Sequence, residues 1–316
     1  MKKLITAWLI ALCIGVGAMM LLGCGQQFNP DKPIIVVSRE SGSGTRDAFM
    51  ELVFGTAYPE GMAPIAKPAP ATGNYNYWET VALPDDAVTQ TSTAAVLSKI
   101  TSDTQAIAYD SLGYVTNDVK LLKVDGKECT PDNIRSGDYK IARPLSIVYK
   151  KATLTGVNQS FYNFLCSSNA QTIIVAEGYV NDLSRTTAYS AQAGVSGTVN
   201  VSGSTSLQPL MNKLAEEFKR LQGGVAVNVT GGGSGTGRNN VRDDVSHFGM
   251  VSAPVTENHL SDMSSKGGEA TTTKICDDGI AVIVHKSNTF DNINIAQLKN
   301  IYNKASATKY SNWSAM

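Results

Sequence analysis

Three stretches of this sequence crowd glycine and small hydroxyl residues into the point where a strand hands over to a helix. They are SGSGT at 41–45, SGSTS at 202–206 and GGGSGTG at 231–237. The first backbone N–H groups of a helix have no partner inside it and carry the positive end of its dipole. Glycine lets an anion approach those groups, and Ser and Thr hydroxyls add neutral donors. One such turn is ordinary helix capping. Three in one chain, with Arg39 just upstream of the first to offer a planar fork of donors, point to a site for a tetrahedral oxyanion.

Other chemistries fit less well. Neither glycine turn reads G-x-x-x-x-G-K-[ST], because no Lys follows, and no G-x-G-x-x-G precedes a downstream acid in the required setting. Ser234 lies among glycines, but GGSGT is not G-x-S-x-G, and His247, His259 and His285 stand in unrelated surroundings with no carboxylate to orient a general base. No Asp, Glu, His or Cys spacing suggests a metal, which argues against a phosphoester hydrolase. The residues thus indicate a binding protein rather than an enzyme, with no cofactor, no metal and no catalytic residue. Lys and Arg together number 27, as do Asp and Glu, so the basic balance of a nucleic-acid binder is missing.

The elements that must hold these turns are legible as an alternation of strands and helices. The chain has 316 residues, 42% hydrophobic and 17% charged, enough for two lobes of ordinary size. PIIVVS (33–38) is a short β-branched run ended by turn residues, and RDAFMELVFG (46–55) has helical spacing and a closing Gly. Residues 56–78 are rich in Pro, Gly and aromatics and read as an irregular loop. STAAVLSKITSD (92–103) reads as a capped helix, QAIAYDSLGYV as strand, turn and helix onset, and IARPLSIVYKK as a strand. Residues 156–180 carry apolar side chains at helical spacing throughout. GTVNVSGSTSLQPLMNKLAEEFKRL (197–221) reads as strand, turn and amphipathic helix, VAVNV and HFGMV as strands, DDGIAVIVHKSN as a strand and IAQLKNIYN as a helix. The alternation predicts α/β lobes with mainly parallel sheets. Residues 181–196 are small, polar and without period, the composition of a linker.

The N-terminus has its own logic. MKK, an apolar run and LLGC ending at Cys24 read as a secretory signal closed by a lipobox, although Leu22 is bulkier than usual there. A membrane-spanning anchor is the competing reading of the same run. Cleavage before Cys24 would leave a lipid on that thiol and hold the protein extracytoplasmically, at the outer face of the cell membrane. Cys129, Cys166 and Cys276 remain, an odd and widely spaced set that gives no disulfide framework and reads as buried free thiols, with one bridge left open.

GSTSLQPL, GGGSGTG, SAP, DGIAVIV, SRESGSGTRDAF, AIAYDSLGYV and ARPL together resemble the phosphate-binding protein of bacterial ABC-type phosphate importers, over nearly all of the mature chain. The resemblance implies a two-lobed periplasmic-binding-protein-like fold of type II. The lobes would close on dehydrated inorganic phosphate, held by hydrogen bonds alone, and hand it to ABC transporter permease subunits without chemistry. Carried over by position, the phosphate donors are Arg39, Ser43, Gly44, Thr45, Thr205, Ser206, Ser234 and Ser252. Many relatives have Asp where Ser252 stands, a carboxylate that accepts the proton of hydrogen phosphate and repels sulfate. Glu40 is a candidate for that acceptor, or simply a solvated surface charge. Sulfate, molybdate, or a surface or signalling role without transport are therefore the alternatives.

The order of segments also departs from the family. GSTSLQPL, normally near the mature N-terminus, comes late, and SRESGSGTR comes first. The chain ends at YSNW, the point after which that motif normally follows. This reads as a circular permutation, with 181–196 closing the former ends at modest entropic cost. A mosaic of two gene fragments or a truncated tandem pair is the alternative. The expected division is a signal at 1–23, an anchored linker at 24–32, one lobe from 33–145 plus 279–316, and the other from 146–278 including the linker. The strands at RPLSIVYK and DDGIAVIV would cross between lobes as a hinge.

Overall fold

The computed structural model describes residues 27–55, 81–306 and 310–316, so residues 1–23, Cys24 and the loop expected at 56–78 lie outside the description. In chain order the elements are β1 (Ile35–Arg39), α1 (Gly44–Phe54), β2 (Val88–Gln90), α2 (Thr93–Ser102), β3 (Ala106–Ser111), β4 (Val119–Val124), α3 (Pro131–Arg135) and β5 (Ala142–Lys150). There follow α4 (Gly156–Leu165), α5 (Ser168–Ala176), β6 (Gly197–Gly203), α6 (Gln208–Leu221), β7 (Val225–Thr230), α7 (Ser234–Arg242), β8 (Phe248–Val251), α8 (Glu257–Ser264), β9 (Ala270–His285), β10 (Asn292–Ile293) and α9 (Ile295–Ile301). No described helix is long and apolar enough to cross a membrane.

One sheet runs through the molecule in the order β2-β1-β3-β9-β5-β8-β6-β7, with β4 on β9 and β10 on β4. It is mixed rather than mainly parallel. The outer pairs β1–β2, β1–β3, β6–β7 and β6–β8 are parallel, whereas β9 is antiparallel to β3, β4 and β5, and β5 to β8. The reason lies in β5 and β9. β9 pairs with β5 from Ala270 to Gly279 and with β3 from Ile280 onward. β5 carries the chain one way between two bodies of core and β9 carries it back, so the two must run in opposite senses.

Those bodies are two large apolar clusters. One gathers Val37, Phe49, Ile107, Tyr109, Ile141, Val282, Tyr302 and Trp313; the other Leu145, Ile147, Phe161, Phe164, Leu214, Phe218, Phe248 and Cys276. In the first, Phe49 of α1 stacks on Tyr109 of β3 with centroids 3.8 Å apart, which fixes α1 against the sheet. In the second, α6 buries Leu210, Met211, Leu214 and Phe218 at helical spacing.

Several local expectations need correcting. Residues 156–180 form two helices, because Ser167 ends one and caps the next by accepting from Ala170 N–H at 3.4 Å. The segment after β3 makes a single 3-10 turn at Leu112–Tyr114, not the start of a helix. The strand expected at 277–288 begins earlier, at Ala270, where alternating Thr and Lys give a half-exposed strand that an apolar run does not reveal. β2, β4, α3, α8 and β10 were not anticipated; α3 and α8 are short and largely polar, β2 and β10 span only three and two residues, and β4, VKLLKV, is a mostly apolar strand. Residues 181–196 are irregular as expected but pinned. Tyr189 packs edge-on to Phe164, bonds Ser160 Oγ at 2.6 Å and donates to Gln222 at 2.7 Å. Cys129, Cys166 and Cys276 are free thiols, with Cys166 only half-buried.

Gly113 marks a close approach between the clusters. A Cβ there would stand 2.2 Å from Tyr179 Cζ, and the Tyr179 hydroxyl is pinned by donating to Ser206 C=O at 3.2 Å. Gly113→Ala is expected to cost about 1–3 kcal/mol through overpacking, read as a lowered Tm in thermal unfolding.

Candidate functional site

Each of the three donor-rich turns is delivered by a strand that ends and a helix that begins beside it. β1 ends at Arg39 and α1 begins at Gly44, with Ser43 as N-cap accepting from Arg46 N–H at 3.4 Å. β6 ends at Gly203, where the backbone turns with φ 132° and a Cβ would meet Met250 O at 2.4 Å, so only glycine fits. β7 leads into Gly231–Gly233, and α7 begins at Ser234.

The turns meet. Arg39 Nη2 donates to Thr205 Oγ1 at 3.2 Å, and Thr45 Oγ1 lies 2.6 Å from Ser206 Oγ. Gly235 N–H donates to Gly42 C=O at 3.2 Å. Ser234 Oγ accepts from Ser252 N–H at 3.0 Å and lies 3.3 Å from Ser252 Oγ. A Cβ on Gly44 would sit 2.2 Å from Ser234 Oγ and 2.6 Å from Ser252 Oγ. All eight residues singled out from the sequence (Arg39, Ser43, Gly44, Thr45, Thr205, Ser206, Ser234 and Ser252) therefore lie together, seven of them buried and Thr205 half-buried at the edge. The N-termini of α1 and α7 face each other there, which adds two positive dipole ends.

Arg39 is the only full charge among the eight, and it is 1% exposed. Its fork is held from several sides. Nε and Nη2 bind the two oxygens of Glu40 at 3.2 and 2.8 Å, and Nη1 donates to Thr93 Oγ1 at 3.3 Å. Glu40 thus places both oxygens on Arg39, so it is paired rather than simply solvated, and each oxygen keeps a lone pair.

Sequence reasoning missed several participants. Thr93, the first residue of α2, bonds both Arg39 and Thr205 Oγ1, the latter at 3.2 Å. Its only signal was its place at a helix start. Ser204 donates to Ser252 Oγ at 2.8 Å and was within the quoted turn without being assigned. Beneath the turns, Arg143 of β5 and Asp278 of β9 form a fully buried pair, with Nε and Nη2 on Oδ2 at 3.2 and 3.0 Å. Arg143 Nη1 also donates to Ser252 C=O at 2.8 Å, tying the crossing strands to the site. Burial raises the Asp278 carboxyl, and Arg143 works against that rise. Nothing in ARPL or DDGIAVIV marks these two residues as partners, because 135 positions separate them.

Residues 2–169 and 188–315 match the model of the PBP superfamily domain. Phosphate-binding protein PstS 2 of Streptococcus agalactiae is 35% identical over 305 residues, covering 96% of each chain. The protein of the same name from Streptococcus pneumoniae is 33% identical over 306 residues, covering 95% of each. A crystal structure of a phosphate ABC transporter, phosphate-binding protein from Streptococcus pneumoniae, superposes with a TM-score of 0.64 at 32% identity, over 89% of this chain and 98% of that one.

Proposed function

This chain belongs to the phosphate-binding proteins of the PBP superfamily, and from that premise we propose that Arg39 and the three hydroxyl turns enclose one inorganic phosphate between two lobes. The protein captures phosphate for import. Arg39, Ser43, Gly44, Thr45, Thr205, Ser206, Ser234 and Ser252 supply the donors. The lobes are 33–145 plus 279–316 and 146–278, hinged where β5 and β9 pass between the two apolar clusters. The chain is a circular permutation of that fold, with each expected segment present once and 181–196 joining the former ends. Beyond capture, the chain is anchored through a lipid on Cys24, stands outside the cytoplasm and delivers its cargo to permease subunits of an ABC importer without transforming it.

The observation that carries this reading is the convergence of three turns, far apart in sequence, on one buried spot beside a buried arginine. Hydrogen bonds to a charged group contribute roughly 1.5–3 kcal/mol each. A handful of them, after the cost of closing the lobes, reaches about −8 kcal/mol, which is micromolar binding. Calorimetry of the dialysed protein tests it. Phosphate should give saturable one-to-one heat in that range; no heat with phosphate would sink the reading. Sulfate and molybdate run alongside report how much discrimination survives with a hydroxyl, Ser252, rather than a carboxylate at that position.

A further inference from the structure

One buried charge near the site has no task in phosphate capture as described above. Asp110 on β3 is 1% exposed. Its Oδ1 accepts from Ser111 N–H at 2.8 Å, but its Oδ2 is the one buried carboxylate oxygen without a hydrogen-bond partner among the described residues. Its place follows from the sheet. β1 and β3 are parallel with Val36 level with Ile107, so three residues further on Arg39 is level with Asp110. Ser38 and Tyr109 bond to each other on one face at 2.7 Å, which leaves Arg39 and Asp110 together on the other.

The charged groups facing Asp110 are Arg39 from β1, Arg143 from β5 and Asp278 from β9. α2, which also packs near β3, buries Thr93, Val96 and Ile100; its one cation, Lys99, pairs with Asp103. Neither cation is free to serve Asp110. Both forks are occupied, Arg39 by Glu40 and Arg143 by Asp278. An anion arriving beside Arg39 adds a further negative charge. Two like charges in a dry site cannot both be kept at low cost, and a proton is the cheapest way to remove one of them.

We propose that Asp110 is the proton-linked group of the anion site: phosphate is held with this carboxyl protonated, so capture in alkaline solution takes up one proton from solvent at Asp110. The proposal rests on the phosphate-capture reading. Burial already pushes the Asp110 carboxyl up to about 8, with the Ser111 N–H, Arg39 and Arg143 pulling it down and Asp278 pushing it further up. The sign follows. Below that value the proton is in place and binding leaves Asp110 unchanged; above it, affinity falls by up to tenfold per pH unit, one proton's worth. The same group acts on stability. The folded protein holds this proton between roughly pH 4 and 8, where the unfolded chain has released it, so stability contributed here declines as pH rises through that window. Asp110→Asn removes that decline, so the variant is expected to fold.

The test is phosphate calorimetry in pairs of buffers that differ in ionisation enthalpy, which counts protons. Absence of phosphate heat at pH 7 would overturn the capture reading itself. With binding established, wild type at pH 9 should take up a proton and show the falling affinity, whereas Asp110→Asn should lose both the fall and that share of the uptake. Uptake that is equal in the two proteins assigns the proton to another group or to phosphate and overturns the inference. Wild type that takes up no proton at pH 9 overturns it without any variant. If Asp110→Asn does not fold, Asp110→Ser takes its place in the comparison.

Discussion

Arg39→Ala is expected to weaken phosphate binding at least 100-fold in calorimetry, because it removes two or more charge-assisted bonds worth roughly 1.5–3 kcal/mol each. The loss has a second source. Glu40 holds both oxygens on Arg39, so without the guanidinium its carboxylate faces the cradle uncompensated. Arg39→Ala combined with Glu40→Gln should therefore recover part of the affinity, a coupling that a double-mutant cycle reads directly. Arg39→Lys keeps the charge but loses the fork, which now spans Glu40, Thr93 and Thr205, and should fall between wild type and Ala. Equal heats for wild type and Arg39→Ala would mean that the anion is bound elsewhere.

Gly44→Ala separates closure from folding. Gly44 is the first residue of α1, and its φ lies outside the left-handed region, so Ala is acceptable to the local backbone and favoured in a helix by up to about 1 kcal/mol. The added methyl has nowhere to go once the turns meet. It would stand 2.2 Å from Ser234 Oγ and 2.6 Å from Ser252 Oγ, and both serines are fully buried. Phosphate affinity should drop about 100-fold, the upper end of the ~1–3 kcal/mol that an extra methyl costs in a close-packed site. The Tm without phosphate should stay level or rise. Small-angle scattering should show no compaction on adding phosphate. A variant that compacts and binds as wild type does would show that the turns need not meet to hold the anion.

The sequence carried more of the site than of the sheet. Its donors were legible because each is local chemistry: a turn that needs glycine, a helix start that needs a hydroxyl, an arginine at a strand end. The eight individual residues came from the family resemblance, carried over by position, and they lie together in the structure. What surrounds them was not legible. Thr93 looks like any helix-capping neighbour until Arg39 reaches it, and Glu40 looks like a free carboxylate until both its oxygens are found on the next residue. β9 was read from its apolar C-terminal half alone, since the half that pairs with β5 alternates with exposed Thr and Lys.

By itself the sequence determined which backbone groups are offered to an anion, because capping and turn formation are settled within a few residues by φ preferences and hydroxyl chemistry. Only the tertiary structure decided that those groups face one another, and which charges are left over once they do. Arg143 finds Asp278 across 135 positions, Arg39 is paired by Glu40, and Asp110 ends up buried between them with one oxygen unanswered. Charge balance in a dry interior is set by what lies within a few ångströms in space, and residue order along the chain does not state that distance.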